Sequence, residues 1–172
     1  KAINVRVIDD MAFYDCDSLD SVELGDALDT IGINAFTDCK SLTHIALKSV
    51  QQIGSMAFAR CDNLRSVESN SVMSIGTGAF SHCKSLEFAY IPTVKQIGVG
   101  VFSDCSALRV VDMRGVSASW LKSKDVEFYH IFISCHNLEK LIVSSDEVAQ
   151  NISKYMFDSR TVEEGLEIVV AR

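Results

Sequence analysis

The sequence predicts a single solenoid, a stack of short coils with a parallel sheet of short strands along one face and short helical or 3₁₀ turns elsewhere. Three observations lead there. A phrase recurs at a step of 22 residues: "IGINAFTDCKSL" from Ile31, "IGSMAFARCDNL" from Ile53, "IGTGAFSHCKSL" from Ile75 and "IGVGVFSDCSAL" from Ile97. A unit that short cannot bury its own apolar side, and such units become stable only by stacking on their neighbours. The chain of 172 residues is 48% hydrophobic with a single Pro and nine Gly, enough for one well-buried domain and no room for a flexible linker.

Each coil is justified column by column. Phe stands at 13, 36, 58, 80, 102 and 132, and Cys at 16, 39, 61, 83, 105 and 135, so both series step by 23, 22, 22, 22 and 30 residues. Three residues after each Cys comes Leu (Leu19, Leu42, Leu64, Leu86, Leu108, Leu138). Two further columns follow at a spacing of two, Val22 then Leu24 in the first coil and Val111 then Met113 in the fifth. Alternation of that kind marks a short strand with these residues inward and Glu23 or Asp112 outward. Eight residues before the Cys stand Ile8, Ile31, Ile53, Ile75 and Ile97, and four of them are followed by Gly. The Gly column suggests a tight turn whose backbone state side chains resist. Ala-Phe-x-x-Cys has helical spacing and predicts a short helical or 3₁₀ turn.

The run Leu-x-x-Val-x-Leu followed by Val-x-x-Ile-Gly-x-x-Ala-Phe-x-x-Cys resembles the leucine-rich repeats of the BspA-like (Treponema pallidum-type) family. The resemblance extends from about Val5 to Val143. It implies a right-handed leucine-rich repeat solenoid with its parallel sheet on the concave face. Two departures stand out. The Leu-Pro that usually follows the strand survives only as Ile91-Pro92, and the sixth unit carries eight extra residues with Glu127-Phe128 in place of Ile-Gly.

The whole chain, residues 1–172, is thus expected to form one domain of about six repeats with an insertion near 115–124. A worn seventh coil at about 144–172 would serve as a polar cap, with Leu166 and Ile168 in the two strand columns. Polar residues in core columns suit a coil with one face in water. The start at Lys1, without an initiator Met or a leader, suggests a piece of a longer array.

Composition excludes several function classes. A net charge of −7 and a pI near 5.0 argue against nucleic acid and anionic lipid as partners. No apolar run approaches the roughly 20 residues that span a bilayer. Cysteines one coil apart form a line rather than a tetrahedron and no two are close in sequence, so a metal site is not expected. Disulfides between equivalent atoms of a tight ladder would need Cβ vectors turned toward each other. The cysteines therefore read as six unpaired, buried packing residues. His44, His82, His130 and His136 occupy different columns, and no phosphate loop or hydrolase motif occurs. Neither catalysis nor a cofactor is expected.

A binding surface would lie on the outward residues of the strand ladder. The first three coils present polar or small groups there. The fourth and fifth present Phe88, Tyr90 and Val110 with Arg65 and Arg109 beside them, the residue types of an interface hot spot. Singly exposed apolar residues would need no explanation, but three neighbours on one face do. The insertion holds the only Trp, Trp120, which either joins a binding loop or folds back over the core. The resemblance implies a protein partner and a surface or secreted adhesion-type protein. An intracellular scaffold or effector remains an alternative because free thiols fit a reducing compartment, as does a purely structural spacer.

Overall fold

The computed structural model describes residues 4–119, 131–155 and 165–171. In chain order its elements are β1 (Val7–Ile8), β2 (Ser21–Val22), β3 (Thr30–Ile31), β4 (His44–Ile45), β5 (Gln52–Ile53), β6 (Ser66–Glu68), β7 (Ser74–Ile75), β8 (Phe88–Tyr90), β9 (Gln96–Ile97), β10 (Val110–Asp112), β11 (Lys140–Val143), α1 (Asp146–Tyr155) and β12 (Glu167–Val170). Every strand pairing is parallel and joins equivalent residues of adjacent coils, as a stacked solenoid requires.

The expected strand ladder is present, as β2–β4 and as β6–β8–β10–β11–β12. It is not alone. A second parallel ladder, β1–β3–β5–β7–β9, runs through the Ile column with Ile31 over Ile8 and Ile53 over Ile31. One sheet was expected and each early coil supplies two strands. The second was missed because it is two residues long, one inward and one outward, too short to leave a readable alternation.

The Phe column forms a continuous stack. Successive rings from Phe13 to Phe132 lie 5.0, 5.2, 5.3, 5.8 and 5.8 Å apart with interplanar angles of 1–11°. Beside it the Leu and Cys columns from the second coil to the sixth, and the Ile column from the second to the fifth, lie buried in a single core.

Around the Phe the chain forms separate turns closed three residues back, of the 3₁₀ kind expected, and they do not run on into a helix. In the third coil Ala57, Ala59 and Cys61 donate their N–H groups three residues back, to Gly54, Met56 and Phe58. The alternate residues Met56, Phe58 and Arg60 donate instead to Thr77, Ala79 and Ser81 of the next coil, each at 2.8 Å. Half of the donors therefore leave the coil, and a helix, which keeps its donors, cannot propagate. Left-handed residues break it further. The residue before each Cys has φ near +60° (Asp15, Asp38, Arg60, His82, Asp104, Ser134), and so do Met56 and Gly78 one turn earlier.

That reassigns the Gly column. Gly32, Gly54, Gly76 and Gly98 do not have positive φ. A Cβ on Gly54 would lie 2.6 Å from the carbonyl carbon of Gly32, and one on Gly98 would lie 2.6 Å from that of Gly76. Glycine is there because successive coils approach too closely for a side chain, not because of backbone conformation.

At the C-terminal end β12 extends the sheet, but two residues further along than the sequence suggests: Ile168 pairs with Leu141 and Val170 with Val143. Between β11 and β12 lies α1, opened by Asp146 and Glu147 in its first turn, where acids favour the helix N-terminus. It buries Val148 and Ile152. Among the described residues no helix is long and apolar enough to cross a membrane.

Candidate binding surface

The strands that hold the candidate residues are pinned on both sides. Within β8 Ala89 points into the core while Phe88 and Tyr90 point out, 43% and 41% exposed. The parallel register places Ser66, Phe88 and Val110 in one outward row and Glu68, Tyr90 and Asp112 in the next. Phe88, Tyr90 and Val110 are therefore neighbours, and Val110 is half-buried beside Phe88. Arg65 and Arg109 are exposed at the strand entrances. Arg109 is not a free cation: its Nε and Nη2 donate to both carboxylate oxygens of Glu139 at 3.0 Å. Trp120 lies outside the described residues, so the structure does not position it.

Asp112 departs from the expected pattern. It occupies an outward strand position but is only 2% exposed. Arg114 explains this by folding back over it. Its Nε lies 3.0 Å from Oδ1 and 3.1 Å from Oδ2, and its Nη2 lies 2.6 Å from Oδ2. Nη2 also reaches the Tyr90 hydroxyl at 3.5 Å. The i, i+2 spacing of Asp112 and Arg114 was the one visible signal of this cluster.

The cysteines do more than fill space. All six are unpaired, and five are buried while Cys16 in the first coil is half-exposed. Each of the five donates its Sγ–H to the Phe carbonyl of the preceding coil: Cys39 to Phe13, Cys61 to Phe36, Cys83 to Phe58, Cys105 to Phe80 and Cys135 to Phe102, at 3.0–3.2 Å. Burial pushes the Cys39 thiol up to about 11 and the Cys135 thiol up to about 12, and raises Cys61, Cys83 and Cys105 well above the ordinary thiol value. A thiol held protonated is a poor nucleophile and metal ligand. Among the described residues no group of three or more His, Cys, Asp or Glu could hold a metal ion.

A second polar column escaped the sequence reading. Ser49, Ser71 and Thr93, spaced by 22 residues, donate their hydroxyls to the carbonyls of Leu28, Val50 and Val72 in the preceding coil at 2.7, 2.9 and 2.9 Å. On the other ladder, Ile33, Gly54, Ser55, Ser74, Gly76, Thr77 and Gln96 line an open trough of about 400 Å³ without a charged side chain.

The family model for the BspA type leucine rich repeat region matches residues 2–109 in six copies. Among solved structures, the chain is similar to the leucine rich repeat protein of T. pallidum, with 29% identity and a TM-score of 0.70 over 97% of this chain and 81% of that one. It is also similar to a leucine rich cell surface protein of Faecalibacterium prausnitzii, with 27% identity and a TM-score of 0.56 over 81% of this chain and 52% of that one. The pneumococcal vaccine antigen PcpA shares the fold at 16% identity and a TM-score of 0.52, over 98% of this chain and 42% of that one. No curated protein matches.

Proposed function

This chain belongs to the BspA-type leucine-rich repeat family, and on that premise we propose that it is a non-catalytic protein-binding domain that engages its partner through the strand face of the fourth and fifth coils. The observation that carries the reading is the pair Phe88 and Tyr90, two exposed aromatics on the same face of one strand, β8, whose backbone is hydrogen-bonded to the coils before and after. Aromatic area presented on a rigid frame loses little conformational entropy on binding, and such residues dominate interface energetics. Val110 continues the apolar centre, while Arg65 and the Arg109–Glu139 pair form a polar rim.

Attachment at a cell surface is the setting we favour. Its support is the similarity to the F. prausnitzii chain described as a leucine rich cell surface protein. The test is capture of partners from a native extract by the wild type and by Phe88→Ala/Tyr90→Ala. Both side chains point away from the core, so the double variant should fold normally. A hot spot truncated to Ala commonly costs about 2 kcal/mol or more, which is roughly 30-fold in affinity. Undiminished capture by the folded double variant would refute the assignment.

A further inference from the structure

The Asp112–Arg114 pair adjoins the patch but has no evident part in the stack. A buried carboxylate is costly unless paired and hydrogen-bonded, and Arg114 supplies that pairing through Nε, Nη2 and its main-chain N–H at 3.3 Å. A guanidinium carries five N–H groups in a planar fork. Asp112 and the Tyr90 hydroxyl take those of Nε and Nη2, and among the described residues Nη1 has no partner. The Arg114 side chain is 40% exposed and lies beside Tyr90. Its charge, however, is cancelled by Asp112. The other charges around the patch do not restore a positive field: Arg109 is engaged by Glu139 and Lys140 by Glu167, and the exposed Arg65 is outweighed by Glu87, stacked next to it, and Glu68, beside Tyr90 in the ladder.

We infer that Asp112, without touching a partner, sets the specificity of the strand-face patch by discharging Arg114. The patch then offers a neutral donor fork next to an aromatic surface. The segment it fits is an uncharged peptide with an apolar anchor and a neutral acceptor beside it, either a main-chain carbonyl or an Asn or Gln side chain. An acidic segment would meet two carboxylates, Glu68 and Glu87, against the single uncompensated cation Arg65, and is rejected. This inference rests on the reading above that Phe88 and Tyr90 form the contact, and the two can fail separately.

The probe is a random dodecapeptide library displayed on phage and panned on the immobilised wild type, Asp112→Asn and Phe88→Ala/Tyr90→Ala. Peptides selected on the wild type should carry an apolar residue, no enrichment of Asp or Glu, and an affinity that changes by less than about twofold as salt is raised. Asp112→Asn uncovers the Arg114 charge and should enrich acidic peptides several-fold, with strongly salt-dependent binding. Should Asp112→Asn melt at once, Arg114→Gln serves instead. It should weaken a wild-type-selected peptide by about tenfold, the worth of a single good hydrogen bond. Acidic peptides selected on the wild type, or identical selections on the wild type and Asp112→Asn, would overturn the role of Asp112. So would unchanged affinity in Arg114→Gln. Peptides that bind the wild type and Phe88→Ala/Tyr90→Ala equally would refute the patch itself.

Discussion

The first and third coils carry the same columns and do not have the same environment. Phe58, Cys61, Leu64 and Val67 are fully buried, whereas Phe13, Cys16, Leu19 and Val22 are only partly covered. The third coil has a neighbour on each side. Among the described residues the first has one, and an apolar pocket of about 170 Å³ lined by Val5, Ile8, Phe13, Val22, Leu24 and Leu28 opens at its other face. Val7, Met11 and Tyr14 are exposed in the same coil. Burial here is a property of stacking and not of any single coil's wording, as expected where interfaces between repeats supply most of the stability.

The largest test of that contrast is at the ring stack. Phe58→Ala removes a fully buried ring with a neighbour on each side and should destabilise by about 3–5 kcal/mol, whereas Phe13→Ala should cost well under half as much. Equal losses by urea denaturation would mean that the first coil is as tightly bound as the third. Next in size is Gly76→Ala, which drives a Cβ to 2.7 Å from the Gly54 carbonyl carbon and should cost about 2 kcal/mol or more. A thermal melt unchanged by it would refute the close-approach account of the Gly column.

The thiols sharpen the comparison chemically. A disulfide reagent should modify Cys16 in the native protein and the remaining five only after unfolding. Raised thiol values also make stability pH-dependent. Below about 9 both folded and unfolded thiols are protonated. Above it the unfolded chain loses protons that the folded chain keeps, so stability falls as pH rises toward the folded values, about 11 for Cys39. Alkaline urea titrations should show that decline in the wild type and a weaker one in Cys39→Ala. Smallest of all, Lys84→Ala breaks an exposed 3.7 Å contact with Asp62 and should change stability by no more than about 0.5 kcal/mol.

How much of this was legible depends on what each residue signals. Phe, Cys, Leu and the inward strand residues were readable because a stacked column must repeat its apolar size in every coil. The glycines were visible and misread, since sequence does not separate a positive φ from a close approach. The second ladder was hidden in two-residue strands, and the hydroxyl column of Ser49, Ser71 and Thr93 was hidden because Ser and Thr look like loop filler. At the candidate surface Phe88 and Tyr90 were recognisable by strand alternation alone. Asp112 was placed outward, correctly for its backbone and wrongly for its environment, because its burial is made by Arg114 and not by its position in the repeat.

The alternating hydrogen bonds of the turns have a mechanical consequence. They run from coil to coil in the Phe segments, along both ladders and through the cysteine thiols. Tension applied between the two ends of the stack therefore loads these interfaces in series, peeling one after another instead of shearing them together. Such a domain would lengthen stepwise at modest force, each released coil adding about 22 residues of slack. The aromatic patch, held by the fourth and fifth coils, would survive until the stack opens on either side of it.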